Sequence, residues 1–170
     1  MKISKIDFER YSKQIILKKF GVIGQKKTMS TKVLIFGVGG LGCPLSIYLA
    51  NLGIGNIGIV DDDKVELSNL NRQIIFSQKD IGKYKVDVAK QKIKEINKRI
   101  KVKSYKIRVN VKNIGKIIKN FDIICDGTDN FETRYLINDF CLKQKKILIS
   151  AAVSGFEGHI FKFDFKKRTP

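Results

Sequence analysis

A glycine-rich turn constrains the fold of this 170-residue chain more than any other feature. The turn, Gly37-Val38-Gly39-Gly40-Leu41-Gly42, directly follows an apolar run at 33–36. Asp61 comes roughly 20 positions later, at the end of a second apolar run at 57–60. This is the pattern of a strand, a phosphate-holding turn, a helix and a second strand whose terminal carboxylate reaches a ribose. The sequence therefore predicts a nucleotide site.

The glycines of the turn have separate predicted tasks. Gly37 allows the tight turn, and Gly42 lets the next helix pack closely. Gly39 and Gly40 let backbone amides approach phosphate, while the first amides and the dipole of the next helix favour an anion. Taken alone, such a turn also arises by chance, and Asp61 is also typical of a solvated turn. Their order along the chain favours nucleotide binding.

Strand and helix patterns alternate along the chain. Strands are predicted at 33–36, 56–60, 102–109, 121–126, 147–153 and 158–165. Helices are predicted at 6–20, 25–29, 41–52, 83–100, 114–119 and 131–142. This alternation predicts one α/β domain over 1–170, with a Rossmann-like, doubly wound, mostly parallel sheet and an N-terminal helical extension at 1–31.

The segment 61–82 has no clean period and is too long for an ordinary connection, which predicts a functional loop with short helical turns. It contains Asp63, Asn69 and Arg72, more polar groups than an NAD-binding domain needs. Arg72 and Lys85 are candidates to neutralise phosphate charge during nucleotidyl transfer. The acidic groups are candidates to hold Mg²⁺. For Lys85 the alternative is an ordinary surface lysine.

A third polar group, Asp126-Gly127-Thr128-Asp129-Asn130, leaves a predicted strand and opens the helix at 131. Binding residues of open α/β sheets lie beyond the carboxyl ends of the strands. We therefore expect Asp129 and Asn130 to lie at the same site as the glycine turn. A simple helix N-cap at either residue is the alternative.

Composition narrows the class of partner and the compartment. The net charge is +18, but the lysines are spread along the chain and form no basic stripe. We therefore expect no nucleic-acid binding and favour an acidic protein partner. No apolar run has membrane length and residues 1–5 lack a signal-peptide core, so we expect no membrane association and a cytoplasmic location. Cys43, Cys125 and Cys141 are isolated in apolar segments, which predicts small buried hydrophobes in a reducing compartment.

Six segments, taken in order, closely resemble the ThiF/MoeB/HesA family, the bacterial relatives of ubiquitin-activating enzymes. They are Arg10-Tyr11-Ser12-Lys13-Gln14-Ile15, the glycine turn, Asp61-Asp62-Asp63, Ser68-Asn69-Leu70-Asn71-Arg72-Gln73, Lys85 and Thr128-Asp129-Asn130. The resemblance covers essentially the whole chain. It implies ATP-dependent adenylylation of the C-terminal glycine of a ubiquitin-like sulfur carrier protein, ThiS in thiamine synthesis or MoaD in molybdopterin synthesis. Details such as Ser154-Gly155-Phe156 are slightly nearer ThiF.

The resemblance also implies roles for individual residues. The glycine turn would hold phosphate and Asp61 the ribose, while Asp129 would bind Mg²⁺. The implied catalytic residues are Arg72, Lys85 and Asp129, and the implied nucleotide-binding set is completed by Asp63, Asn69, Asn130, Arg10 and Lys13. The enzyme would contribute positioning and charge neutralisation, so no protein nucleophile is required.

In relatives the N-terminal helix reaches across a homodimer to the partner's ATP, so the resemblance implies a homodimer. Lys13 stands where the family usually has arginine; it keeps the charge but loses the bidentate fork, which predicts lower activity. The chain looks cut after residue 170, where the family continues with a Cys-x-x-Cys pair that, with a later one, binds zinc. Zinc is therefore expected only in a longer chain.

Two other functions remain open at this point. An NAD-dependent oxidoreductase explains the glycines and Asp61 but leaves Arg72, Lys85 and Asp129 without a task. A non-catalytic nucleotide-binding fragment would keep the fold without the activity.

Overall fold

The computed structural model describes residues 3–167, so the sequence interpretations for residues 1–2 and 168–170 lie outside the described residues. Its helices are α1 (Lys5–Arg10), α2 (Ser12–Ile15), α3 (Gly21–Ser30), α4 (Gly42–Leu52), α5 (Lys85–Ile96), α6 (Ile114–Ile118) and α7 (Phe131–Lys143). Its strands are β1 (Lys32–Phe36), β2 (Asn56–Val60), β3 (Lys101–Tyr105), β4 (Ile123–Asp126), β5 (Ile147–Ser154) and β6 (Glu157–Asp164). Between β2 and α5 the chain forms two short 3₁₀ turns, Leu67–Asn69 and Gln78–Asp80.

The strands form one six-stranded sheet in the order β3-β2-β1-β4-β5-β6. Pairs among the first five strands are parallel, and β6 returns antiparallel to β5. The chain moves outward from β1 to β3 and then crosses to β4 on the other side of β1. In such a sheet the crevice for a ligand lies where the strand order reverses, beyond the carboxyl ends of β1 and β4. The predicted α/β class and the doubly wound, mostly parallel sheet are confirmed.

Two buried apolar layers cover the two faces of the sheet. Because side chains alternate along a strand, Ile35 of β1 belongs to one layer and Leu34 to the other. The first layer includes Val86 and Ile93 of α5, and the second includes Ile137 of α7. Helices on both faces explain why β1 reads as a continuous apolar run.

The predicted single helix at 6–20 is wrong. The chain instead forms α1 and α2, separated at Tyr11, and Gly21, directly after the predicted range, begins α3. Tyr11 is only 4% exposed, and its hydroxyl accepts a hydrogen bond from Nδ2 of Asn97 at 2.8 Å. This contact lies 86 positions away in sequence, and burying the ring there takes precedence over continuing one regular helix.

Three contacts hold the N-terminal extension against the end of α5. Besides the Tyr11 bond, Arg99 donates to the buried carboxylate of Asp7, and Arg10 donates to the carbonyl of Ile96. Since α5 runs back toward the start of β3, these contacts lie at the amino edge of the sheet, opposite the carboxyl ends of the strands. Among residues 3–167, no helix meets the length and hydropathy expected of a transmembrane span.

Candidate nucleotide site

A cleft of about 950 Å³ lies at the carboxyl edge of the sheet. Residues at or just beyond the carboxyl ends of all five parallel strands contribute to it, as expected for an open α/β sheet. Its polar lining includes Gly37, Gly39, Gly40, Asp61, Asp62, Asp63, Asn69, Arg72, Gln73, Lys85, Arg108, Thr128, Asp129, Asn130 and Arg134. The structure therefore brings together ten of the thirteen predicted site residues; Gly42, Arg10 and Lys13 do not line the cleft.

The glycine turn folds back on itself at the end of β1. Gly37 has a φ of 81°, and a Cβ on it would lie 3.1 Å from the carbonyl oxygen of Gly127. A Cβ on Gly42 would lie 1.9 Å from the carbonyl oxygen of Gly37, so no side chain fits there. Gly42 thus begins α4 against the turn, while Gly39 and Gly40 present their backbone to the cleft. This backbone is suited to hold an anion at the start of a helix.

Asp61 fastens the glycine turn to the end of β2. Its Oδ2 accepts a hydrogen bond from the Val38 amide at 2.7 Å, and its Oδ1 accepts one from the Asp63 amide at 2.9 Å. Burial raises the pKa of this carboxyl above its usual value, against these two hydrogen bonds and the nearby Lys85 charge. Each carboxylate oxygen has a second lone pair, so Asp61 can still accept from ribose hydroxyls.

Lys85 is a buried cation at the start of α5. Its side chain is 7% exposed, and Nζ donates to Oδ2 of Asp63 at 2.7 Å. The backbone amide of Lys85 also donates to the Asp63 carbonyl at 3.0 Å, which fixes the two residues together. The interpretation of Lys85 as an ordinary surface lysine is therefore wrong. An ammonium has three donors, so the Asp63 bond leaves two for a ligand.

Arg72 and Asn69 lie on the 3₁₀ segment after β2. Arg72 Nη1 donates to the carbonyl of Ser68 at 3.0 Å and to Oδ1 of Asn71 at 3.1 Å. Its Cγ and Cδ each lie 3.7 Å from the position of a Cβ on Gly40, so the stem passes beside the glycine turn. Asn69 Oδ1 accepts from the Glu66 amide at 3.1 Å, which caps the 3₁₀ turn. The predicted short helical turns of this loop are confirmed.

Asn130 and Asp129 differ in what holds them. Asn130 is the N-cap of α7, with Oδ1 accepting from the Thr133 amide at 2.9 Å, so the capping interpretation holds for Asn130. Asp129 is exposed in the cleft wall, and no described residue donates a hydrogen bond to its carboxylate. A carboxylate with all its lone pairs available fits a magnesium ligand, since Mg²⁺ takes one or two carboxylates together with phosphate oxygens and water.

Asp61, Asp62 and Asp63 are the other acidic group at the cleft. Among the described residues, they alone form a set of three whose ligand atoms lie within 4.8 Å of one another. Asp61 is already bonded to two amides and Asp63 to Lys85. Asp129 is therefore the better candidate for a magnesium ligand on the available lone pairs.

Sequence reasoning missed a buried pair that holds the loop after β4. Asp126 is 3% exposed and accepts from the Thr128 amide at 3.0 Å and from Ser150 Oγ at 2.7 Å. Arg134 Nη1 lies 3.7 Å from Asp126, and Nη2 donates to the carbonyls of Thr128 and Ala151. The pair ties the loop that carries Asp129 to the end of β5. A polar residue at a strand end was the available signal, but the register of β4 on β5 was needed to interpret it.

The three cysteines are buried and lie outside the cleft lining. Burial raises the pKa of Cys43, Cys125 and Cys141 to about 12 in each case. A thiol with so high a pKa is a poor nucleophile at neutral pH. The prediction that they behave as small buried hydrophobes is confirmed.

Two curated relatives are similar to nearly the whole of this chain. A probable molybdopterin-synthase adenylyltransferase of Gracilaria tenuistipitata var. liui is 43% identical over 164 residues, which cover 96% of this chain and 46% of that protein. Adenylyltransferase and sulfurtransferase MOCS3 of Culex quinquefasciatus is 43% identical over 165 residues, which cover 97% of this chain and 38% of that protein. The chain spans less than half the length of these curated relatives.

Solved structures also match most of this chain. A crystal structure of E. coli MccB with ATP matches with a TM-score of 0.79 and 31% identity, over 88% of this chain and 46% of that chain. The crystal structure of PaaA matches with a TM-score of 0.88 and 26% identity, over 98% of this chain and 57% of that chain. The sequence profile of the ThiF family matches residues 11–170. The chain belongs to the ThiF family.

Proposed function

We propose that this chain is the ATP-binding part of an adenylyltransferase that activates the C-terminal glycine of a ubiquitin-like sulfur carrier protein. The observation that carries the proposal is the cleft, where the glycine turn, the Asp61 carboxylate and the cations Arg72 and Lys85 line one space. The curated relatives named above are an adenylyltransferase for molybdopterin synthase and an adenylyltransferase and sulfurtransferase. They favour a MoaD-like carrier over a ThiS-like one.

The arrangement suits attack by a carboxylate on the α-phosphorus of ATP. In that step a carrier carboxylate oxygen forms a bond to phosphorus, the bond to the bridging oxygen breaks, and pyrophosphate leaves with the electron pair. Lys85 and Arg72 would balance the charge that collects on the phosphate oxygens, and the turn amides would hold the chain of phosphates in place. Asp61 would orient the ribose. The step needs no protein nucleophile, which fits the buried, inert thiols.

Magnesium is the metal that the cleft chemistry implies. Asp129 would hold it, with phosphate oxygens and water as further ligands. When bound, the ion would neutralise part of the phosphate charge. Arg72 and Lys85 would still balance the charge on the phosphate oxygens when the ion is bound.

We further propose that the assembly is a homodimer. Arg10 and Lys13 lie away from the cleft of their own chain, at the edge of the sheet where Arg10 contacts the Ile96 carbonyl. If they contact nucleotide, as the family resemblance implies, the nucleotide lies in another copy. Sedimentation at a series of protein concentrations, with the specific activity measured at each, would test this. The activity should fall at the concentrations where the dimer dissociates.

An ATP–pyrophosphate exchange assay, dependent on the carrier and run on the full-length protein, tests the adenylyltransferase proposal. Arg72→Ala and Lys85→Ala should each lower turnover by about 10²- to 10³-fold, as expected for a group that stabilises developing charge. Lys90→Ala is the matched control, because Lys90 is an exposed lysine of α5 outside the cleft. A rise in the Michaelis constant for ATP with unchanged turnover would mean uniform binding and would contradict the catalytic role.

The two alternatives predict different results. An NAD-dependent oxidoreductase should be stabilised by NAD rather than ATP. For this chain we expect ATP to raise the free energy of unfolding by about 2.7 kcal/mol at a hundredfold excess over its dissociation constant. A non-catalytic fragment should bind ATP without carrier-dependent exchange. Carrier-dependent exchange by residues 1–170 would therefore exclude that alternative.

A further inference from the structure

Gln73 is a buried polar side chain of the cleft that neither the predicted site nor the proposed mechanism uses. The residue is 3% exposed and lines the cleft. Its Oε1 is buried without a hydrogen-bond partner, and it is the one such side-chain atom among the described residues. Buried carboxamide oxygens are almost always paired, because an unpaired one loses its hydration without compensation. An orphaned acceptor in a cleft wall points to a functional constraint on this residue.

The geometry places the carboxamide beside the glycine turn. Nε2 of Gln73 lies 3.9 Å from the position that a Cβ on Gly39 would occupy. The backbone of Gln73 is fixed on both sides, since its amide donates to the Asn69 carbonyl at 2.9 Å and its carbonyl accepts from the Phe76 amide at 3.1 Å. No described residue bonds to either end of the carboxamide. The Nε2 donor is therefore available at the point where the turn presents its backbone to a ligand.

We propose that Gln73 is a nucleotide-binding residue whose Nε2 donates a hydrogen bond to an oxygen of the ATP triphosphate beside Gly39. The inference rests on the proposed ATP site and deepens it. Arg72 and Lys85 supply charge, whereas Gln73 supplies a neutral donor held at a fixed position. An apolar side chain of similar length would suit the fold at least as well, because it would remove the unpaired acceptor. The carboxamide thus favours ligand binding and lowers the stability of the free protein.

The test uses a variant in which the two effects have opposite signs. Gln73→Met removes the donor and the orphaned acceptor while keeping the volume. We expect its dissociation constant for ATP, measured by isothermal titration calorimetry, to rise about tenfold, with a melting temperature equal to or above that of the wild type. Gln73→Glu places a carboxylate beside the triphosphate and should weaken ATP binding further. Gln78→Met is the control, because Gln78 is an exposed glutamine outside the cleft lining.

Each outcome has a defined meaning. Unchanged ATP affinity in Gln73→Met overturns the inference, and so does a fall in melting temperature that accompanies the loss of affinity, since that would indicate a structural role. If the wild-type chain does not bind ATP, the proposed function fails first and the inference fails with it. Weaker ATP binding together with an undiminished melting temperature supports it.

Discussion

β1 and β6 belong to the same sheet, but their surroundings differ completely. Four of the five residues of β1 are buried, and Ile35 at its centre has no exposed surface. In β6 every residue from Glu157 to Phe163 is exposed, and Phe161 shows 56% of its surface. α4 and α5 cover one face of β1, and α6 and α7 the other. Among the described residues, no helix covers β6 in this way.

The aromatic side chains of β6 contact one another along one face. His159, Phe161, Phe163 and Phe165 follow at alternate positions, with ring centroids 6.2, 6.2 and 5.8 Å apart. Such a ladder recovers only part of the free energy that burial gives a core residue. The comparison indicates that the stability of this chain comes mainly from β1 to β4 and the helices that cover them, which we call the covered region, and that β6 contributes little.

The sharpest test of this difference compares two glycines. Gly42→Ala would place a Cβ 1.9 Å from the Gly37 carbonyl oxygen, and we expect it to cost more than about 3 kcal/mol or prevent folding. Gly155→Ala, in the β5–β6 turn, meets nothing within 4 Å and pays only for its φ of 59°, about 1 kcal/mol. Urea denaturation followed by circular dichroism measures both. Equal losses would contradict the assignment of stability to the covered region.

A pair of truncations tests the same point inside the strands. Ile35→Ala opens a cavity in a fully buried layer and should lower the free energy of unfolding by about 2–5 kcal/mol. Phe161→Ala removes a half-exposed ring and should cost less than about 1 kcal/mol, although phenylalanine is the larger side chain. If Phe161→Ala lowers the free energy of unfolding by more than about 2 kcal/mol, β6 is part of the cooperative core.

The N-terminal extension packs against the end of α5 in the covered region, and its Asp7 makes the stability of that region depend on pH. Burial alone would raise the pKa of Asp7, but hydrogen bonds from Ser4 and Arg99 lower it below the usual 3.8. Because the folded pKa lies below the unfolded one, the stabilisation is present above about pH 3.8 and is lost as the pH falls through the folded pKa. Asp7→Asn should therefore cost about 2 kcal/mol at pH 7.

Unfolding curves of wild type and Asp7→Asn at a series of pH values check this sign. The difference between the two proteins should shrink steadily below about pH 3.8. A difference that persists unchanged at lower pH would mean that the carboxylate charge is not what holds α1. Glu9→Gln provides an exposed control on the same helix.

The smallest expected effect concerns thiol chemistry. Cys43, Cys125 and Cys141 all lie in the covered region, are buried and have pKa values of about 12, so the native chain should not react with a thiol reagent at neutral pH. Ile160→Cys, at a β6 position that is 74% exposed, should react at once. Rapid modification of the native wild type would mean that the helices over β4 open readily.

The regions that were predictable from sequence are those governed by local pattern. β2 was predicted at 56–60 and is found at Asn56–Val60, and the meeting of Asp61, Arg72 and Asp129 in one cleft followed from the rule that ligands bind at the carboxyl ends of parallel strands. The break at Tyr11 was not predictable, because it depends on a contact with Asn97.

Two features of the site depended on tertiary structure in the same way. The Asp126–Arg134 pair requires the register in which Asp126 lies beside Ser150 on the neighbouring strand. The orphaned oxygen of Gln73 is visible only once its surroundings are built. In both cases residues distant in sequence decide whether a polar group is paired, and no local pattern reports that.

The position of Tyr11 has a consequence for kinetics. Its ring occupies the space that a side chain on Gly53 would need, with Cζ 2.6 Å from that Cβ position, and this holds α1 and α2 at the amino edge of the sheet. A strand of five residues spans about 16 Å, and Arg10 lies at the amino edge of the sheet, so the length of β1 separates that edge from the cleft at the carboxyl edge. If the charge of Arg10 is used in the reaction, it is used by a neighbouring molecule. The specific activity should then rise with enzyme concentration until every cleft has a neighbour, and dilution alone should switch the enzyme off.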